Sequence, residues 1–231
     1  MVPDFIFTIS NAAGLLGWTL VLLALLSRST TLLSDHTDAL FEAVPPFGRV
    51  PIIDSLYLLE VVCFAEVGRI AAGQLKGNLV LGMVLHSIRV ACIRLVLSDG
   101  LMAGSGGVGF DNLLSTLVLY SWSLTEVGRY PMYLFPSSAT ARRVRLALPL
   151  LTFPIGAAAE ALGAYRAARK ILKSGAGEEG QYGDYAALGL LGMVVVVNGV
   201  LGPTMAYPAL LKKGLPALMG RAERKKGTKA D

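Results

Sequence analysis

Residues 186–211 read AALGLLGMVVVVNGVLGPTMAYPALL, without one Asp, Glu, Lys or Arg. A helix needs about 20 mostly apolar residues to cross the hydrocarbon core of a bilayer. This stretch meets that length, and no polar face interrupts it at helical spacing. Five more windows read the same way: Ile6–Leu26, Ile52–Ile70, Leu79–Leu97, Leu113–Phe135 and Val144–Ala164. The fold expected is therefore an all-α integral membrane protein, a six-transmembrane-helix bundle. Residues 1–231 form one membrane domain, with a basic cytosolic tail over 212–231. The connections carry turn chemistry. Ser27–Val50 holds Pro45 and Pro46, while Ser98–Asp111 (SDGLMAGSGGVGFD) and Ser174–Asp184 (SGAGEEGQYGD) are glycine-rich.

Composition agrees. The 231 residues are 54% hydrophobic and 16% charged, with mean hydropathy +0.59, whereas soluble domains carry about 25% charged residues. The net charge of +5 is uneven, with Lys212, Lys213, Arg221, Arg224, Lys225, Lys226 and Lys229 gathered near the end. No aromatic or motif context turns that tail into a nucleic-acid surface. Beside an apolar segment it reads as a topology signal that can meet anionic lipid. Six crossings put it on one face with the amino terminus, Lys76, Arg142, Arg143 and Arg145. The opposite face holds Arg28, Arg49 and the Arg166–Lys173 group. Both termini are expected in the cytosol. The start MVPDFIF lacks the basic region of a cleavable signal. Cys63 and Cys92 lie in apolar stretches and form neither a disulfide framework nor a metal-ligand spacing. No metal and no cofactor are expected.

The informative residues are the ionisable ones inside the windows: Glu60, Glu66, Arg69, Arg89, Arg94, Glu126, Arg129 and Glu160. A charge at the bilayer centre costs about 2.5–3.5 kcal/mol on insertion scales, so such groups face the bundle interior and pair. Glu126 and Arg129, three apart, share a helical face. Arg69 and Arg94 lie near window ends, from which they can reach the interface. Glu160 has no basic residue three or four positions away, and Pro154 and Gly156 weaken its helix nearby. It is the acid best suited to chemistry, with an interhelical hydrogen bond as the plain alternative. The stretch from Cys63 to Arg69 has the C-x5-R spacing of tyrosine phosphatases. That chemistry needs free backbone N–H groups aimed at a phosphate; a transmembrane helix spends them on its own carbonyls.

Four segments together resemble the 3-hydroxyacyl-CoA dehydratases of very-long-chain fatty acid elongation, also called protein-tyrosine-phosphatase-like proteins. Asn11 with Gly17-Trp18 is similar to the family's YN…GW. Trp122, Thr125, Glu126, Arg129, Tyr130 and Tyr133 match W-x-x-T-E-x-x-R-Y-x-x-Y. Arg145 is followed by Phe153-Pro154-Ile-Gly156-Ala-Ala-Ala-Glu160, similar to Y-P-x-G-x-x-x-E. Gly202-Pro203, Tyr207 and Lys212-Lys213 resemble the family's end. The resemblance implies six crossings, an endoplasmic-reticulum membrane and removal of water from (3R)-3-hydroxyacyl-CoA to give trans-2-enoyl-CoA. A different organelle membrane, such as the mitochondrial inner membrane, stays open.

The family's catalytic Tyr–Glu pair maps onto Phe153 and Glu160, with Tyr130, Tyr133, Glu126, Arg129 and Arg145 in binding or supporting places. Phe153 is a departure: it fills the phenol's volume but has no proton to give, and an acid–base group is worth about 10²- to 10⁴-fold in rate. The second helix departs too, with Cys63 where the family has His. Two functions follow. One is an active dehydratase acting on acyl-CoA, with Glu160 as base and a phenol from Tyr130 or Tyr133. The other is a non-catalytic relative serving as a structural or assembly subunit of a larger membrane complex. Phe153 is expected on the same face as Glu160, between the fourth and fifth crossings.

Overall fold

A computed structural model describes residues 4–27, 52–75, 77–98, 109–173 and 182–219. The proline pair, the Ser98–Asp111 loop beyond its ends, most of Ser174–Asp184, and the tail from residue 220 lie outside the described residues. The described residues are helical and include no strand. In chain order they form α1 (Asp4–Ser27), α2 (Ile52–Ala71), α3 (Leu79–Ala91), α4 (Gly109–Leu134), the short α5 (Ala139–Ala147), α6 (Pro149–Lys173), α7 (Tyr182–Val196) and α8 (Tyr207–Leu218). α3 continues as a π-helical stretch, Cys92–Ser98, and a second one, Val197–Ala206, joins α7 to α8.

Four helical runs are long and apolar enough to span a membrane: Phe5–Ser27, Leu79–Ser98, Ala139–Lys173 and Gly183–Leu218. α2 and α4 fall short of that standard for a physical reason. α2 carries Asp54, Glu60, Glu66 and Arg69, and α4 carries Asp111, Glu126 and Arg129 among many hydroxyls. The bundle is apolar outside and polar inside. Leu16, Leu23, Leu58, Val61, Leu151 and Ile155 are exposed, while Glu60, Glu126, Ser115 and Ser123 are buried.

Packing closes the six long runs into a ring. α1 lies between α2 and α4, α4 between α1 and α6, α6 between α4 and α7, and α3 closes the circuit between α2 and α7. Neighbours run antiparallel. At one end of the α4–α6 pair, Arg145 just ahead of α6 meets Tyr133 at the end of α4; at the other, Arg166 meets Asp111 at the start of α4. Close approach depends on small residues. A Cβ at Gly14 would come within 2.5 Å of the fully buried Tyr130 ring. A Cβ at Gly156 would overlap the Ser121 hydroxyl, which donates to the Thr152 carbonyl at 2.7 Å.

The helices outrun their apolar windows. The fifth window, Val144–Ala164, sits within a longer run whose α6 ends at Lys173. The Arg166–Lys173 group therefore belongs to helix rather than to a connecting loop. The side chains make this possible: Arg166 and Lys170 both reach Asp111, at 2.5 and 3.7 Å, so the last turns of α6 are held against α4 beyond the apolar stretch.

Candidate functional site

Two polar constellations occupy the interior. The larger begins at Glu126 on α4, one per cent exposed. Its two oxygens receive two guanidiniums, Arg89 of α3 and Arg129 one turn along α4, each at 2.6 Å. Arg89 extends to Glu60 of α2 at 3.3 Å, and Arg129 to Glu66 of α2 at 3.3 Å. Three carboxylates thus share two guanidiniums across three helices. Such pairing offsets the cost of removing each charge from water, and it fixes the rotation of the helices that carry the charges. His86 adds its Nδ1 at 2.8 Å from the second oxygen of Glu60.

The phenols of α4 belong to this network. The Tyr130 hydroxyl lies 3.5 Å from the Cys63 sulfur. Tyr133 donates to Glu66 at 3.4 Å and accepts from Arg145 at 3.3 Å. Glu60, Cys63 and His86 bring a carboxylate oxygen, a thiol and an imidazole nitrogen within 4.8 Å of one another, a donor set that zinc accepts. These groups are already engaged with one another and with cations: His86 bonds one Glu60 oxygen, Arg89 bonds the other, and Arg129 lies 3.6 Å from the Cys63 sulfur. The arrangement is that of a charge network. Cys63 sits in the middle of α2, where backbone N–H groups bond within the helix, so the C-x5-R spacing makes no phosphate loop.

The second constellation surrounds Glu160, which points into the bundle from α6. The Trp122 indole N–H donates to one oxygen at 2.6 Å and the Asn198 amide to the other at 2.7 Å. The Cys92 sulfur lies 4.0 Å away. Cys92 and Asn198 both stand in π-helical stretches, whose wider turn displaces side chains from α-helical positions, a device common at functional sites. Arg89, 5.4 Å from the Trp122 ring centroid, links the two constellations through the indole.

The sequence expectations separate here. Glu126, Arg129, Tyr130, Tyr133 and Arg145 come together, but around Glu60 and Glu66 rather than around Glu160. Phe153 does not pack between the fourth and fifth crossings. Its ring stacks on Tyr207 at 6.4 Å between centroids and would meet a Cβ at Gly202, so it faces the last helical run. The small Gly202 leaves room on that side, while Thr152 fills the side toward α4 by bonding Thr125 at 2.7 Å. Tyr207 itself donates to the Leu150 carbonyl at 3.2 Å. Sequence reasoning missed His86 and Asn198. Asn198 had a visible signal, a lone amide directly after Val194–Val197. His86 lies three residues before Arg89, on its helical face.

Searches with the chain among protein-family models, curated proteins and solved structures gave no match.

Proposed function

We propose that this chain is a 3-hydroxyacyl-CoA dehydratase-like membrane protein that keeps the acid of the dehydratase pair without its phenol, and that it serves as a structural or assembly subunit of a membrane complex. The observation that carries the reading is the set of partners at Glu160. An indole, an amide and a thiol bond or touch it. The phenols of Tyr130, Tyr133 and Tyr207 are turned to Cys63, Glu66 and the Leu150 carbonyl. Dehydration needs one group to take the proton alpha to the thioester and another to protonate the leaving hydroxyl. Here Glu160 stands without the second. The resemblance gains support from contacts between its separate segments: Trp122 with Glu160, and Tyr133 with Arg145.

The active reading, dehydration of long-chain 3-hydroxyacyl-CoA in fatty acid elongation, is favoured by one feature. Glu160 is an acid held inward by two donors, in a helix that carries Pro154. Assay of the purified protein with a long-chain (3R)-3-hydroxyacyl-CoA separates the two. Wild type is expected to be inactive, and Phe153→Tyr to yield a measurable rate only if the new phenol can reach the substrate beside Glu160. Full wild-type turnover that Glu160→Ala abolishes would overturn the subunit reading.

The same reading has six crossings, α2 and α4 included, with both termini cytosolic in the endoplasmic reticulum or another organelle membrane. α2 and α4 can cross because their charges pair inside the ring. Glycosylation acceptor tags placed at each terminus should stay unmodified; modification of either tag would remove this topology.

A further inference from the structure

A cavity of about 340 Å³ opens at the end of the bundle that bears the amino terminus. Phe7, Thr8 and Asn11 of α1, Arg69 of α2 and Leu75 just after it, Met132 and Tyr133 at the end of α4, Pro136 beyond it, and Arg145 line it. Glu160 and Phe153 are not among these residues. Two guanidiniums therefore face one space, and neither forms an ion pair with a carboxylate among the described residues. Among the described residues Arg145 bonds the Met132 sulfur and the Tyr133 hydroxyl, at 3.0 and 3.3 Å. Arg69 lies 4.0 Å over the Phe7 ring, and its buried Nε makes no hydrogen bond. Arg145 lies 5.1 Å from the Tyr133 ring centroid. Stacking of this kind holds a guanidinium by its face and leaves its N–H edge free for an oxyanion.

A second observation points the same way. Asn11 is only 7% exposed, lines the cavity, and makes no side-chain hydrogen bond among the described residues. Its amide lines the cavity beside Arg69, whose Nε is buried without a hydrogen bond, so both can take a partner from that space. The donors on offer are two guanidiniums and an amide, beside the apolar walls of Phe7, Leu75 and Met132. This is the complement of an oxyanion joined to an apolar group. Two guanidiniums without a direct ion pair among the described residues match a phosphate better than a carboxylate, because a phosphate monoester carries up to two charges and offers oxygens for forked bonds.

We propose that this cavity is a binding site for a phosphate-bearing ligand, its oxyanion held by Arg69, Arg145 and the Asn11 amide and its apolar part lying against Phe7 and Met132. The site does not depend on Glu160, so it stands or falls separately from any dehydratase chemistry. The ligand can arrive from the bilayer as a phospholipid with an exposed phosphate, or from solution as a soluble phosphate ester.

The full chain, purified in detergent and in phosphatidylcholine nanodiscs, tests this with two probes. Native mass spectrometry reads binding of phosphatidic acid against phosphatidylcholine. The thermal midpoint reads binding of inorganic pyrophosphate. Saturable binding of the lipid alone assigns the bilayer source, and saturable binding of pyrophosphate assigns the soluble one. In the arm that binds, Arg69→Gln and Arg145→Gln should each weaken affinity about ten- to a hundredfold, and Asn11→Ala less. Arg69→Lys, which keeps the charge but not the fork, should fall between, and added salt should weaken the wild type. Arg169→Gln at the opposite end of the bundle should leave affinity unchanged. If neither probe binds, or if binding survives both glutamine substitutions in folded protein, the proposal is overturned.

Discussion

Glu126→Gln should lower the unfolding free energy by about 3–5 kcal/mol, the typical cost of breaking a buried ion pair by removing one partner. The effect is large because one carboxylate serves two guanidiniums, Arg89 and Arg129, each at 2.6 Å. Gln has the same shape, so no cavity forms and packing is spared. What remains is one carbonyl acceptor, and an amide N–H₂ turned toward a guanidinium. Both arginines keep a second acid, Glu60 for Arg89 and Glu66 for Arg129, at 3.3 Å. That leaves four buried charges arranged for five. Removing a guanidinium together with the acid should restore part of the loss, so Glu126→Met with Arg129→Met should be more stable than Glu126→Gln alone. Thermal and denaturant unfolding in one detergent measures all three proteins. A loss below about 1 kcal/mol for Glu126→Gln would mean the network is solvated and weak, as surface pairs are.

The same network marks the limit of what a linear reading of this chain can give. Each window falls on a long helical run of the described residues, because a long apolar stretch must pair its backbone groups within itself, and the runs extend past the windows wherever charged residues find partners, as at Arg166 and Asp111. Pairing of Glu126 with Arg129 is also legible, since i,i+3 neighbours share a face whatever surrounds them. The rotation of each helix about its axis and the identity of its neighbours are set by packing between distant residues. Gly14 admits the Tyr130 ring between α1 and α4, which carries the Tyr130 hydroxyl to Cys63 and away from Glu160. Gly202 leaves the space that Phe153 faces, and Tyr207 stacks on its ring. No periodicity along a single helix contains these facts. The π-helical stretches add a second difficulty, because Asn198 reaches Glu160 from a turn whose spacing departs from 3.6 residues. Glu160 was thus legible as an acid facing the interior, while its donors Trp122 and Asn198 were not.

Glu160→Leu should separate a structural acid from a catalytic one without any assay of activity. In the wild type both carboxylate oxygens are hydrogen-bonded, at 2.6 Å from the Trp122 indole and 2.7 Å from the Asn198 amide. Leucine removes the acceptors and strands two buried donors, and each unsatisfied group costs about 1–3 kcal/mol. A structural Glu160 therefore predicts a loss of about 2–6 kcal/mol. Glu160→Gln should lose less, because its carbonyl can still accept from Trp122 while its amide meets Asn198 donor to donor. Pairing Glu160→Leu with Trp122→Phe should cost less than the sum of the two, since the stranded indole N–H disappears with its partner. Acids kept for chemistry behave in the opposite way. They are held in the interior at the expense of stability, and replacing them with apolar residues commonly stabilises the fold. Unfolding midpoints of Glu160→Leu, Glu160→Gln, Trp122→Phe and the double variant in detergent decide between the two. If Glu160→Leu is more stable than the wild type, the carboxylate is retained for reaction or ligand binding, and the subunit reading fails at the residue that carries it.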